Sequence, residues 1–120
     1  MAKVDCHVID RGVRDAVAAY LMRVAHDFRI ERAYLFGSRA RGQGSPWSDI
    51  DLALISPDFH GRPWLDLNAQ LHRYRWDTST EIEPIAFTSD EAARASPADF
   101  LGGVVLRAGV LVLEHGRMVV

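Results

Sequence analysis

The chain has 120 residues, which is enough for one domain with a single hydrophobic core and leaves little room for a second core. Its net charge of −2 and its 48% hydrophobic residues are ordinary for a globular protein and exclude bulk attraction to nucleic acid or to a membrane surface. No apolar run reaches the ~20 residues of a membrane span, and we expect no signal peptide. Cys6 is the only cysteine, so no internal disulfide can form and a cytoplasmic location is expected.

Helical and strand-like segments alternate along the chain. Apolar residues at every third or fourth position predict amphipathic helices, and short apolar runs bounded by Gly, Pro, Ser or Asp predict strands. In chain order, the pattern predicts a loose lead-in (1–9), a helix (10–28), a strand (32–36), a polar segment (38–47), a strand (48–56), a loop (57–63), a helix (64–75), a strand (80–87), a short helix (89–95), another helix (97–109) and a last strand (110–114).

Three signals in the second half of the chain predict local structure. Pro84 has no N–H for a strand ladder, so its strand is expected at an edge or a bulge. Thr88 and Glu91 have the spacing of a capping box at the start of the short helix. Ser96 is expected to cap the next helix, with Pro97 as its first residue.

Interleaved helices and strands predict a two-layer α/β (α+β) fold in a single domain over residues 1–120. We expect a small mixed β-sheet with helices packed mainly on one face. The second helix places Trp64 on the same stripe as Leu67 and Leu71, so Trp64 is expected to pack in the core or against a helix. The order of the strands does not follow from the sequence.

Two carboxylates, Asp49 and Asp51, open the second predicted strand. Side chains alternate along a strand, so residues two apart point to the same face. Two like charges held side by side are unfavourable unless a cation lies between them. The pair therefore indicates a metal site at this end of the sheet.

Gly37-Ser38, ten intervening residues and Asp49-Ile50-Asp51 resemble the G-S-x10-D-x-D signature of the minimal nucleotidyltransferases. These belong to the DNA polymerase β-like nucleotidyltransferase superfamily. The flanking sequences LFGSRARG and SDIDLAL are similar to that family too, and the resemblance extends over essentially the whole chain. Either half of the signature alone is a weak signal, but both halves at this spacing, each at the end of a predicted strand, are a strong one. The resemblance implies the polymerase β-like fold.

The resemblance also implies a site for the phosphates of a nucleoside triphosphate, with ATP as the expected substrate. Gly37 lets the backbone approach the phosphates, because it has no Cβ. Ser38 offers a hydroxyl and an amide donor at a possible helical turn. Arg39 and Arg41 lie next to it and are expected to neutralise the leaving pyrophosphate.

Family resemblance further implies that Asp49 and Asp51 bind one or two Mg²⁺ ions. A third carboxylate from a neighbouring strand completes the family's set, as a metal ligand or a general base. Glu83 is the best match for this catalytic and metal-binding position, and Glu81 on the same face is the alternative. Aspartate is common at that place in the family, so the glutamate is a departure from its pattern.

The acceptor is open. Relatives in the superfamily modify RNA ends, antibiotics and protein side chains. We expect this chain to act without a further acceptor domain, which is similar to the antitoxin half of modules whose other half is a HEPN ribonuclease-type toxin. That similarity implies an antitoxin that adenylylates a tyrosine of its toxin partner and releases pyrophosphate.

Two other functions stay open. One is a non-catalytic binding module that neutralises its partner by contact alone. The other is a small-molecule (antibiotic) nucleotidyltransferase that acts as a homo-oligomer. Neither nucleic acid nor a membrane is expected as the primary partner.

Overall fold

The described strands form one mixed, five-stranded sheet in the order β3-β2-β1-β4-β5. The computed structural model describes residues 11–37, 49–74 and 82–120. Strands β2 and β3 are parallel, and the other neighbouring strands are antiparallel. The elements are α1 (Arg11–Val24), β1 (Arg32–Phe36), β2 (Ile50–Ile55), a single 3₁₀ turn (Pro57–Phe59), α2 (Trp64–Arg73), β3 (Ile82–Phe87), α3 (Ser89–Ala93), a π-helix (Phe100–Leu106, called the 100–106 segment below), β4 (Val110–Glu114) and β5 (Arg117–Met118).

The side chains of β2 alternate between two apolar clusters on opposite faces of the sheet. Ile50, Leu52 and Leu54 lie in the larger cluster with residues of α1 and α2. Ala53 and Ile55 lie in the smaller cluster with residues of α3 and the 100–106 segment. The two long helices therefore pack on one face and short helical segments cover the other, which confirms the predicted α/β architecture.

Helix α1 is shorter than the predicted helix over residues 10–28, because it ends at Val24. The N–H groups of His26 and Asp27 bond to carbonyls three residues back, at 3.1 and 3.0 Å, and this tighter turn ends the helix. Phe28 is still buried, and its ring packs edge-to-face on Phe59 with centroids 5.1 Å apart.

Two local predictions are confirmed. Pro84 lies in β3, at the edge of the described sheet. Thr88 and Glu91 form the capping box: Glu91 N–H donates to Thr88 Oγ1 at 3.0 Å, and Thr88 N–H donates to Glu91 Oε1 at 2.8 Å. Helix α3 then ends at Ala93, two residues before the predicted end.

The prediction of a helix starting at Pro97 is wrong, because the helical segment starts at Phe100. Asp99 is the cap in place of Ser96. Its carboxylate accepts hydrogen bonds from the backbone N–H groups of Ser96, at 2.9 Å, and Gly102, at 2.7 Å. This arrangement closes a turn before the helix begins.

Gly102 is what lets the 100–106 segment pack against that turn. A Cβ at this position would collide with the backbone carbonyl of Ser96. The segment also has wide turns, since Arg107 N–H donates to the carbonyl of Gly102, five residues earlier, at 3.1 Å.

Trp64 corrects a second expectation, because 67% of its surface is exposed rather than packed in the core. Leu67 and Leu71 on the same helix are buried. Trp64 lies one turn further out, beside Pro84 and Ile85 of the edge strand. No strand in the described part of the chain lies beyond β3 to cover it.

The hairpin of β4 and β5 was not predicted. Its turn is formed by His115 and Gly116, both with positive φ (51° and 81°), the conformation that tight two-residue hairpins favour. Within residues 11–37, 49–74 and 82–120, no helix is both long and apolar enough to cross a membrane.

Asp99→Ala should lower the free energy of unfolding by about 1–2 kcal/mol, because two backbone N–H groups lose their acceptor. Asp99→Asn keeps one oxygen acceptor and should lose less. Thermal unfolding followed by circular dichroism measures both. An alanine variant that unfolds at the wild-type temperature would contradict the role of this cap.

Candidate functional site

Asp51, the second residue of β2, is the centre of the candidate site. It lies opposite Phe36 of β1 on one side and opposite Glu83 of β3 on the other. Neighbouring strands are about 4.8 Å apart, and paired residues point to the same face. Asp49 lies two residues earlier along the chain and is exposed. The fold thus brings together Asp49, Asp51 and Glu83, the three predicted carboxylates.

Gly37 follows the end of β1 and adjoins this cluster. Its φ of +83° lies in the left-handed region, which a residue with a side chain adopts only at a cost. A Cβ at this position would also overlap the Asp51 carboxylate oxygen Oδ2. The absence of a side chain at Gly37 therefore leaves the space that the Asp51 carboxylate occupies.

Negative charge accumulates at the end of β2. The pKa of Asp51 is raised above its ordinary value of 3.8, first by partial burial and then by the charges of Asp49 and Glu83. This arrangement disfavours three ionised carboxylates and favours a bound cation. A half-buried carboxyl with raised pKa and two acidic neighbours is typical of functional sites.

His72, near the end of α2, adds a histidine to the site. Its Nδ1–H donates to the carbonyl of Asn68 at 2.8 Å, which fixes the orientation of the ring. The other ring nitrogen, Nε2, lies 3.6 Å from Glu83 Oε1. His72 therefore contacts the carboxylate of β3 from the neighbouring helix.

His72 was not among the predicted site residues, although the topology offered a signal. A helix that connects two parallel strands runs antiparallel to them. The last turn of α2 therefore returns to the end of the sheet where β3 begins, and Glu83 is the second residue of β3. A histidine in that turn is expected near a carboxylate at that position.

The donor set suits Mg²⁺ that also binds a substrate. Among the residues that the structure describes, no three Asp, Glu, His or Cys side chains are placed so that they could hold a metal ion together. Mg²⁺ in enzymes commonly takes one or two protein carboxylates and completes its shell with water and substrate phosphates. Asp49 and Asp51 fit that pattern, whereas a permanently bound structural ion would need more ligands.

Four of the predicted site residues lie outside the described residues: Ser38, Arg39, Arg41 and the alternative carboxylate Glu81. Gly37 is the last described residue before the polar segment, and Asp49 is the first one after it. The described residues therefore give the carboxylate half of the predicted site.

A cavity of about 830 Å³ lies away from the carboxylates. Glu31 and Pro57 line it, and they lie before β1 and after β2, at the opposite end of these strands from Gly37 and Asp49. Its other lining residues are mainly apolar, among them Leu21 and Met118. We place the candidate site at the carboxylates because three acidic side chains converge there, whereas the cavity is lined mainly by apolar residues.

Residues 19–97, more than half of the chain, match the family model described as a nucleotidyltransferase domain. A crystal structure from Sulfolobus solfataricus, provisionally named a nucleotidyltransferase, superposes with a TM-score of 0.65 at 22% sequence identity. The match covers 89% of this chain and 86% of that chain, and it supports the fold. No curated protein matches this chain.

Asp51→Asn should raise the melting temperature at pH 7, without Mg²⁺, by roughly 2–4 °C, because the amide removes one of the crowded charges. The raised pKa means that the folded chain binds more protons than the unfolded chain. Stability of the wild type therefore falls as the pH rises from about 3.8 through the raised pKa.

The increase in melting temperature caused by Asp51→Asn should shrink on acidification below pH 3.8, where the wild-type carboxyl is protonated in both the folded and the unfolded chain. Asp15→Asn, a change at an exposed surface pair, is the control and should give no such gain. Equal melting temperatures of wild type and Asp51→Asn at pH 7 would contradict the crowding of charge.

Proposed function

Because the chain belongs to the nucleotidyltransferase domain family, we propose that it is a Mg²⁺-dependent transferase that moves AMP from ATP onto a hydroxyl group of a protein partner. The observation that supports this most directly is the convergence of Asp49, Asp51 and Glu83 beside Gly37. Such a cluster has little use in a domain that only binds a partner.

Asp49 and Asp51 are the proposed ligands of the metal. When bound, Mg²⁺ neutralises phosphate charge, stabilises the leaving group and makes the attacking hydroxyl a better nucleophile. Asp51 is held in the middle of three strands, opposite Phe36 and Glu83, and Asp49 lies at the exposed entry to β2. Strand β2 thus holds the Asp51 carboxylate between two strands, while the Asp49 carboxylate is open to a substrate.

The phosphates of ATP are proposed to bind at the turn that Gly37 begins. Gly37 has no Cβ, which lets a backbone approach a phosphate closely, and its φ of +83° turns the chain at the end of β1. Ser38 supplies hydroxyl and amide donors, and Arg39 and Arg41 supply the positive charge that the departing pyrophosphate requires.

Glu83 is proposed as the third carboxylate. In the transfer, the acceptor oxygen forms a bond to the α-phosphorus, and the bond from that phosphorus to the oxygen bridging to the β-phosphate breaks. Pyrophosphate leaves, and the acceptor proton passes to a base. We assign that role to Glu83, which lies directly opposite Asp51 and has His72 Nε2 at 3.6 Å from its carboxylate oxygen.

The proposed acceptor is a tyrosine hydroxyl of a HEPN ribonuclease-type toxin, and the chain is then the antitoxin of that pair. The resemblance of the G-S-x10-D-x-D signature to minimal nucleotidyltransferases supports this choice. The position of Glu83 beside Asp51 argues against the alternative of neutralisation by contact alone, because a contact-only module does not require this register.

Transfer is tested by incubating the protein with the product of the gene adjacent to its own, Mg²⁺ and α-³²P-labelled ATP. We expect label on the partner, and mass spectrometry should find AMP on a tyrosine. Asp49→Ala/Asp51→Ala should lose label by at least about 10³-fold. Other labelled nucleoside triphosphates measure base preference.

Two results would contradict the proposal. If wild type never labels the partner and the double variant still neutralises it, contact alone explains the function. If aminoglycosides or other hydroxylated small molecules become labelled and the partner does not, the acceptor is a small molecule.

Glu83→Gln should lower the rate of transfer by about 10²-fold or more, with ATP affinity changed by less than about threefold, because the amide cannot accept the proton. Glu114→Gln, at the far end of the sheet, is the matched control and should keep wild-type activity. His72→Ala should cause a smaller loss in the same direction. Wild-type turnover in Glu83→Gln would exclude Glu83 as the third carboxylate.

A further inference from the structure

Phe100 places an exposed aromatic ring next to the carboxylate site. It is the first residue of the 100–106 segment, and its ring packs edge-to-face on Phe36 with centroids 5.5 Å apart at 80°. Phe36 is the register partner of Asp51, and such partners point to the same face. Phe100 therefore packs against the residue that is paired with Asp51 in the sheet.

The ring of Phe100 is presented to solvent on a fixed backbone. Asp99 immediately before it bonds to the N–H groups of Ser96 and Gly102, and Gly102 packs closely on Ser96. Even so, 47% of Phe100 is exposed. An edge-to-face contact with Phe36 leaves at least one face of the Phe100 ring uncovered by Phe36.

The location separates Phe100 from the other exposed large apolar residues of α1 and α2. Met22, Trp64 and Leu65 belong to those helices, which pack on the opposite face of the sheet. Only Phe100, among the exposed aromatic residues that the structure describes, lies on the face that carries Asp51. Scattered exposed apolar residues are normal, but an aromatic ring held beside a substrate site has a use.

We infer that the Phe100 ring is the platform on which the base of the nucleoside triphosphate stacks. The inference rests on the proposed function. Phe36 directly precedes Gly37, where the phosphates are proposed to bind, and a single sugar separates a base from its α-phosphate. A ring packed on Phe36 is therefore within reach of the base.

Stacking on an aromatic side chain accepts any base, because every base has a π face. Phe100 thus contributes affinity for the nucleoside without selecting adenine. It also holds the sugar end of the substrate, so that the α-phosphate lies over Asp51 rather than turning away into solvent. The ligand class is a planar heteroaromatic ring attached to a triphosphate.

Phe100→Ala should weaken ATP binding in the presence of Mg²⁺ by about 5- to 150-fold, measured by calorimetry. Phe100→Trp keeps a ring and should bind ATP at least as tightly as wild type. Inorganic tripolyphosphate, which has no base, should bind to wild type and Phe100→Ala equally. Val104→Ala, an exposed apolar change on the same segment, is the control and should leave ATP binding unchanged.

Each outcome has a distinct meaning. If Phe100→Ala binds ATP as tightly as wild type, the inference is wrong while the proposed function stands. An unchanged ATP affinity with a loss of transfer to the partner would assign Phe100 to the acceptor and also overturn the inference. Wild-type protein that binds neither ATP nor tripolyphosphate would refute the proposed function instead. Thermal unfolding of Phe100→Ala checks that the segment is still folded.

Discussion

The site depends on the concentration of negative charge around Asp51. Burial and two acidic neighbours raise its pKa, so the chain gives up some stability to keep three carboxylates at one end of the sheet. Gly37 is part of the same constraint, because a side chain there would occupy the space next to Asp51. A charge arrangement that is unfavourable for the protein alone becomes favourable when a cation and phosphates bind, and this is the basis of the proposed chemistry.

The two faces of the sheet differ in how much apolar core covers them. The larger apolar cluster under α1 and α2 carries most of the core, so that face is closed. The smaller cluster is covered only by α3 and the 100–106 segment. The carboxylates emerge at the end of β2 on this less covered face, where a substrate can approach without disturbing the main core.

Much of the fold followed from the sequence because local signals and packing agreed. The strand at Arg32–Phe36 and the capping box at Thr88 depend on short-range patterns, and both appear where they were predicted. Asp49 and Asp51 were identified from the two-residue period of a strand combined with the family signature. The parallel register that puts Glu83 opposite Asp51 was not predictable, since strand order is set by the whole sheet.

The predictions that were wrong failed because packing between distant elements overrode local sequence patterns. Ser96 and Asp99 are both good caps, and the choice between them is made by the close packing of Gly102 on the Ser96 backbone. Trp64 follows the helical period of buried leucines, yet the sheet ends before it reaches that turn. Phe100 is brought to the site by Phe36, which is distant in sequence, and His72 by the return of α2 to the start of β3, so periodicity alone could not identify them.

The parallel pairing of β2 with β3 has a consequence for how the protein matures. A parallel pair cannot form as a hairpin and must wait for the intervening chain, including α2, to cross the sheet. Pairings between distant segments are late events in folding, because the loop entropy must be overcome first. Glu83 therefore joins Asp51 only once α2 has crossed back along the sheet, so the complete acidic cluster depends on the placement of that helix as well as on the strand that carries the aspartates.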